Sequence, residues 1–269
     1  MKLALNGATT MRADLATDIR VASEAGFDCL EIWAAKLRKF LETGTTAELK
    51  SMLDERGLEP YSINSIEHIT FRDEAGRQQL RAECEELCRI ASEINCPYLV
   101  VVPSPLPSDL SREEVTQQSA QVLAELATIA GRYDVSLAFE FLGQPDCSVQ
   151  TLDHAAEIVR RVDDRRVGLV IDSFHFYAGG SSLVSIDELD AQRLFVFHVN
   201  DAEDRPRAEL EDKHRLLPGL GILPLREMFA ALRRINYDGV VSVEIFRPEY
   251  WARDPSLVAR EAYEAASKL

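Results

Sequence analysis

Short, near-continuously apolar runs alternate along the chain with longer stretches in which apolar residues recur every three or four positions. A run of the first kind suits a strand covered on both faces, and a stretch of the second kind suits a helix with one buried stripe. The apolar runs are Leu3–Asn6, Cys29–Trp33, Pro60–Asn64, Tyr98–Val102, Val135–Phe141, Val167–Asp172, Leu194–Val199 and Gly239–Phe246. Their starts lie about 30 residues apart, room for one strand and one returning helix. Between them, Glu74 to Ile94 carries Leu80, Cys84, Leu87, Ala91 and Ile94 at helical spacing. Ser111-Arg-Glu-Glu114 is a capping-box pattern and predicts a helix running to about Gly131. His154 falls inside a further predicted helix and is expected on its surface.

Strands and helices in strict alternation, eight times over and with no linker between them, predict an α/β chain. The expected architecture is a closed parallel (β/α)8 TIM barrel, with residues 1–269 forming a single domain. A doubly wound open sheet competes with it, but no Gly-x-Gly-x-x-Gly follows the first strand to support one.

Composition narrows the partners. With 45 Asp+Glu against 30 Lys+Arg, the formal charge is −15, which argues against a nucleic-acid or anionic-membrane partner and for a small-molecule substrate. The five cysteines are odd in number and scattered, as expected of reduced core thiols in a cytoplasmic protein. Cys84 and Cys88 share a helix face, yet no second pair stands at zinc-site spacing. The apolar start Met1-Lys-Leu-Ala-Leu-Asn6 is too short for a signal peptide, and no run approaches the roughly 18 apolar residues of a membrane span. A homo-oligomer is left open.

In a parallel barrel the ligand site lies at the carboxyl ends of the strands. Four consecutive strands carry a polar residue there: Ser136-Leu-Ala-Phe-Glu140, Val167-Gly-Leu-Val-Ile-Asp172, Leu194-Phe-Val-Phe-His198 and Val240-Val-Ser-Val-Glu244. Singly, Glu140 fits an outward helix contact and His198 a hydrogen-bonded core histidine. Together they bring three carboxylates and an imidazole to one end of one barrel, where unpaired carboxylates would repel and be costly to desolvate. A divalent cation resolves this, and oxygen donors with one nitrogen suit Mn²⁺, Mg²⁺, Co²⁺ or Zn²⁺. His175, three residues after Asp172, is placed to bind a substrate oxygen. Arg215, before the Pro218-Gly219 turn, is placed to hold hydroxyl or enolate oxygens. His68 and Glu31, near the ends of early strands, are expected to line the pocket.

The set Glu140, Asp172, His198 and Glu244 resembles that of the xylose-isomerase-like TIM-barrel superfamily of sugar isomerases and epimerases, and the resemblance covers the whole chain. Five stretches look most like the inosose isomerases of bacterial inositol catabolism: Asn6-Gly-Ala-Thr-Thr10, Glu140-Phe-Leu-Gly143, Gly168-Leu-Val-Ile-Asp-Ser-Phe-His175, Pro218-Gly-Leu-Gly221 and Val241-Ser-Val-Glu-Ile-Phe-Arg-Pro-Glu-Tyr250. The resemblance implies one divalent metal, manganese among the candidates, held by Glu140, Asp172, His198 and Glu244. It also implies His175 and Arg215 at the substrate oxygens. Glu140 and Glu244 would then carry the proton of an ene-diolate isomerisation on opposite sides of a polyhydroxy ketone, while Asp172 and His198 only hold the metal. No Lys/Arg cluster near the strand ends demands a phosphate, so an unphosphorylated substrate is expected. 3-Dehydroshikimate dehydratases and ketose 3-epimerases share the ligand set and are the nearest alternatives. An apurinic endonuclease is remoter, because the fourth strand ends in Val102-Pro-Ser-Pro105 with no histidine. A non-enzymatic sugar-binding barrel is the last alternative.

Overall fold

The computed structural model describes residues 1–269, and the alternation is realised as a closed parallel barrel. Its strands are β1 (Lys2–Asn6), β2 (Cys29–Trp33), β3 (Glu59–Ile66), β4 (Tyr98–Val101), β5 (Ser136–Glu140), β6 (Val167–Asp172), β7 (Leu194–Val199) and β8 (Val240–Val243). Each pairs in parallel with its chain neighbour, and β8 closes the ring on β1 through Lys2↔Val240 to Leu5↔Val243. Parallel neighbours need a crossover connection, so the helices return around the outside. Among them are α1 (Leu15–Ala25), α2 (Ala34–Leu41), α3 (Thr46–Glu55), α4 (Glu74–Glu93), α5 (Arg112–Ala130), α6 (Leu152–Val162) and α7 (Ser173–Ala178). After Asp187 come α9 (Leu225–Arg234) and α11 (Pro255–Ala266), with the short α8 (Leu183–Asp187) and α10 (Pro248–Trp251) before each.

The local signals act as read. Ser111 accepts from the Glu114 amide while Glu114 accepts from the Ser111 amide, so both ends of the capping box are closed at the start of α5. Helix α4 buries Leu80, Cys84, Leu87 and Ala91, and all five cysteines are free and buried. Two boundaries differ from the expectation by more than one residue. Strand β3 continues to Ile66 through a register shift, and β8 leaves the ladder at Val243, although the Glu244 amide still donates to Val199 O. His154 is a correction. It is buried, 5% exposed, with Nε2 2.9 Å from Thr116 Oγ1, because α6 packs this face against α5.

Inward-facing positions alternate along each strand, and most strands begin apolar and end polar: Ala4 to Asn6, Cys29 to Glu31, Ala138 to Glu140, Val170 to Asp172, Val196 to His198. The apolar end is plugged by Val100, Ala138, Val170 and Val196 with Tyr61 and Tyr98, and Tyr61 donates to Phe195 O. Polar chemistry is thereby confined to the carboxyl end. No helix is long and apolar enough to cross a membrane.

Two devices shape that end. Lys36 donates to Gly7 O, Thr10 O and Asp18 Oδ2, pinning the loop after β1. Residues Asp201–Ala202 and Arg215–Leu216 form an antiparallel ribbon in the long segment after β7. The Gly219 amide in the Pro-Gly turn donates to Asp201 Oδ2, at a φ of +83° that favours glycine.

Candidate active site

Glu140 at the end of β5, Asp172 at the end of β6, His198 in β7 and Glu244 just beyond β8 each aim a donor atom at one point. These four atoms lie within 4.8 Å of one another, and all four residues are buried. His198 Nδ1 is 2.9 Å from Glu140 Oε1 and 3.4 Å from Glu244 Oε2. Arg215 Nη1 donates to Asp172 Oδ2 at 2.8 Å and to Glu244 Oε2 at 3.0 Å. Three carboxylates and one imidazole, with no thiolate, are the donor chemistry of a hard or borderline divalent ion, so the cluster is compatible with one such metal.

The electrostatics carry the mark of crowded negative charge. Burial pushes the Glu140 carboxyl up to about 7, and Glu244 and Asp172 add to the push against the attraction of His198. Burial also disfavours charge on His198, yet Glu244, Glu31 and Glu140 together hold it well above its ordinary range. Burial would raise Glu244 as well, but His198 and Arg215 keep it below the usual carboxylate range.

The two glutamates are held differently. Glu244 Oε1 accepts from Asn6 Nδ2 at 3.0 Å and from Asn64 Nδ2 at 2.8 Å, while Oε2 faces Arg215 and His198. Glu140 meets only His198, through Oε1. Asp172 caps α7, accepting from the His175 amide on Oδ1 and from Asn200 Nδ2 and Arg215 on Oδ2. That cap fixes the turn carrying His175. Gly143 is required beside it, since a Cβ there would run into the His175 carbonyl and the Gly179 amide.

Beside the cluster opens a cavity of about 280 Å³, lined by Trp33, Phe246, Glu140, His175, Arg215 and Glu244 among others. His68 stands at its mouth, exposed, with Nε2 3.9 Å from Glu67. Arg215 is buried rather than solvated, because the ribbon carries it inward and Asp212 Oδ1 accepts from both Nε and Nη2. Glu31 departs from the expectation. It does not line the cavity but lies wholly buried behind His198. Sequence reasoning missed Asn6, Asn64 and Asn200. Asn6 and Asn64 carried the signal read on later strands, a polar residue at the end of an apolar run.

A family model described as a xylose isomerase-like TIM barrel matches residues 19–268. The chain belongs to that family. It is 36% identical over 270 residues to the inosose isomerase of Bacillus velezensis, with 98% of this chain and 96% of the relative covered. It is 37% identical over 268 residues to the inosose isomerase of Halalkalibacterium halodurans, with 99% and 94% covered. Among solved structures of the family, that of the IolI protein with a bound zinc atom superposes with a TM-score of 0.97 at 34% identity. The match covers 100% of this chain and 97% of that one.

Proposed function

We propose that this family member is a divalent-metal-dependent isomerase that moves the ketone of a cyclic polyhydroxy ketone, of the inosose type, to the neighbouring carbon. The observation that carries the reading is the convergence of Glu140, Asp172, His198 and Glu244 on one point beside the cavity. The inosose isomerases it resembles over its full length support the substrate class and a place in inositol catabolism. Glu140, Asp172, His198 and Glu244 would hold the ion, with manganese, magnesium, cobalt and zinc all suited to the donors. When bound, such an ion supplies Lewis acidity at the ketone and adjacent hydroxyl oxygens.

The residues of the chain supply the rest. Glu244, kept ionised by His198 and Arg215 and oriented by Asn6 and Asn64, removes the proton from the carbon next to the ketone. Glu140, whose carboxyl burial pushes up to about 7 and whose Oε2 accepts no hydrogen bond from the protein, stands on the other side and delivers its proton to the former carbonyl carbon, after which exchange with solvent returns both glutamates to their starting states. One C–H bond breaks and another forms while a proton passes between the two substrate oxygens, so the ketone moves by one position without net redox change. Arg215 and His175 hold the substrate oxygens, His68 meets the substrate at the mouth, and Trp33 and Phe246 wall the cavity against water.

The test is proton exchange in deuterated water, followed by NMR, with inosose as substrate. Deuterium next to the carbonyl and a positional ketone isomer, abolished by chelator and restored by Mn²⁺ or Zn²⁺, are expected. Three results overturn the reading: an aromatic, ultraviolet-absorbing acid formed from 3-dehydroshikimate with inosose untouched, inversion of a ketohexose at its third carbon without ketone migration, or no exchange at all.

A further inference from the structure

Glu31 is a carboxylate with no solvent and no place in the ligand cluster. It sits in β2, none of its surface is exposed, and its oxygens lie outside the group of atoms within 4.8 Å of one another. Withdrawing a carboxylate from water costs several kcal/mol unless its charge is answered, so its partners show what the position is for. Ser242 Oγ donates to Oε2 at 2.7 Å, and His198 Nε2 lies 3.1 Å from Oε1 and 3.0 Å from Oε2. The other ring nitrogen, Nδ1, faces Glu140 and Glu244. The imidazole is therefore spanned, with Glu31 on one nitrogen and the cluster on the other. A ring nitrogen that carries hydrogen has no lone pair for a metal, and a carboxylate that accepts the second N–H fixes both the tautomer and the plane of a ligating histidine.

We infer that Glu31 is a positioning residue, which holds the proton of His198 on Nε2 and so presents the Nδ1 lone pair to a divalent ion. The inference rests on the metal site proposed above. It makes the barrel interior part of that site: Glu31 and Ser242, both wholly buried and outside the lining of the cavity, set the affinity for the ion.

The experiment uses zinc alone as probe, in competition with a chelator, on the whole chain and on Glu31→Gln and Glu31→Ala. Loss of the acceptor or its charge is expected to weaken zinc binding by about 10- to 100-fold, with Glu31→Gln, which keeps an accepting oxygen, nearer the lower figure. The second readout needs no variant: nitrogen-15 NMR of the zinc-loaded wild type is expected to show the His198 proton on Nε2. Zinc affinity in both variants within about twofold of wild type overturns the role of Glu31, as does a zinc-loaded wild type carrying that proton on Nδ1. A wild-type chain that takes up no zinc, manganese, cobalt or magnesium overturns the metal site itself, which separates the two failures.

Discussion

Arg215 donates from Nη2 to Nε2 of His175 across 2.9 Å. A guanidinium has no lone pair with which to accept, so His175 must be neutral, with its proton on Nδ1. Burial, helped by the charge of Arg215, keeps its pKa below the ordinary histidine range. The same guanidinium answers Asp172 and Glu244 and lies between the rings of Phe174 and Phe246, 4.9 and 5.0 Å from their centroids. Arg215 is thus a fixed counter-charge to Asp172 and Glu244. Replacing it by Met leaves two buried carboxylates without it, and breaking a buried pair in this way costs about 3–5 kcal/mol. Urea unfolding of metal-free Arg215→Met is expected to show a loss of that order, with a smaller loss once a divalent ion is added. Wild-type stability in the metal-free variant would refute the role.

Glu140 and Glu244 are isosteric with Gln, so Glu140→Gln and Glu244→Gln should both keep the fold. Each is expected to lower turnover at least ~100-fold, the low end for removing a general acid or base. Deuterium exchange next to the ketone separates the two: removal of the abstracting group abolishes exchange and product alike. Near-normal turnover in either variant would remove that residue from the proton path.

Chelation is expected to take turnover to background and to lower stability together, since an ion bound only by the folded chain adds to its stability by mass action. At a free concentration 100 times its dissociation constant the gain is about 2.7 kcal/mol. Urea midpoints with and without metal measure it, and unchanged midpoints beside lost activity would place the ion outside the folded site.

A pH-sensitive point lies in the contact between α5 and α6. Burial in the α5–α6 contact pushes His154 down from an ordinary 6.5 to about 4. As pH falls, the unfolded chain takes up this proton near 6.5 and the folded chain only near 4, so between those values the unfolded state binds more protons and stability declines. The contribution is complete above 6.5 and is lost toward 4. His154→Gln keeps a donor for Thr116 and removes the titration. Its stability should therefore fall less than that of the wild type between neutral pH and the middle of this window. Equal slopes in urea unfolding would show that the imidazole does not report the contact.

The barrel was legible because its signals are local. Eight apolar runs, their spacing, and the capping box at Ser111 each depend on residues close in sequence, and β2, β6 and β7 match the expected runs end to end. The four residues of the cluster were legible for a related reason. In a closed parallel barrel all strand ends meet at one rim, so a polar residue ending an apolar run is already assigned to a place.

What ran across strands was not legible in the same way. That Asn6 and Asn64 grip one oxygen of Glu244, that Glu31 faces the back of His198, and that Arg215 is buried rather than solvated are contacts between residues 29 to 238 positions apart. Alternation along a strand says only whether a side chain points inward. Which inward side chain it meets depends on the stagger of the closed ring and on how the segment after β7 folds back as a ribbon. His154 shows the same limit on the outside: helical periodicity gave its place in α6, and the packing of α5 decided that the place was buried. The sequence by itself thus determined the elements, their closure and the rim where the chemistry sits. Only the tertiary structure decided which carboxylate is clamped, which retains a free oxygen, and which nitrogen of His198 faces the cluster, because those depend on distances closed by the barrel and absent from any single segment.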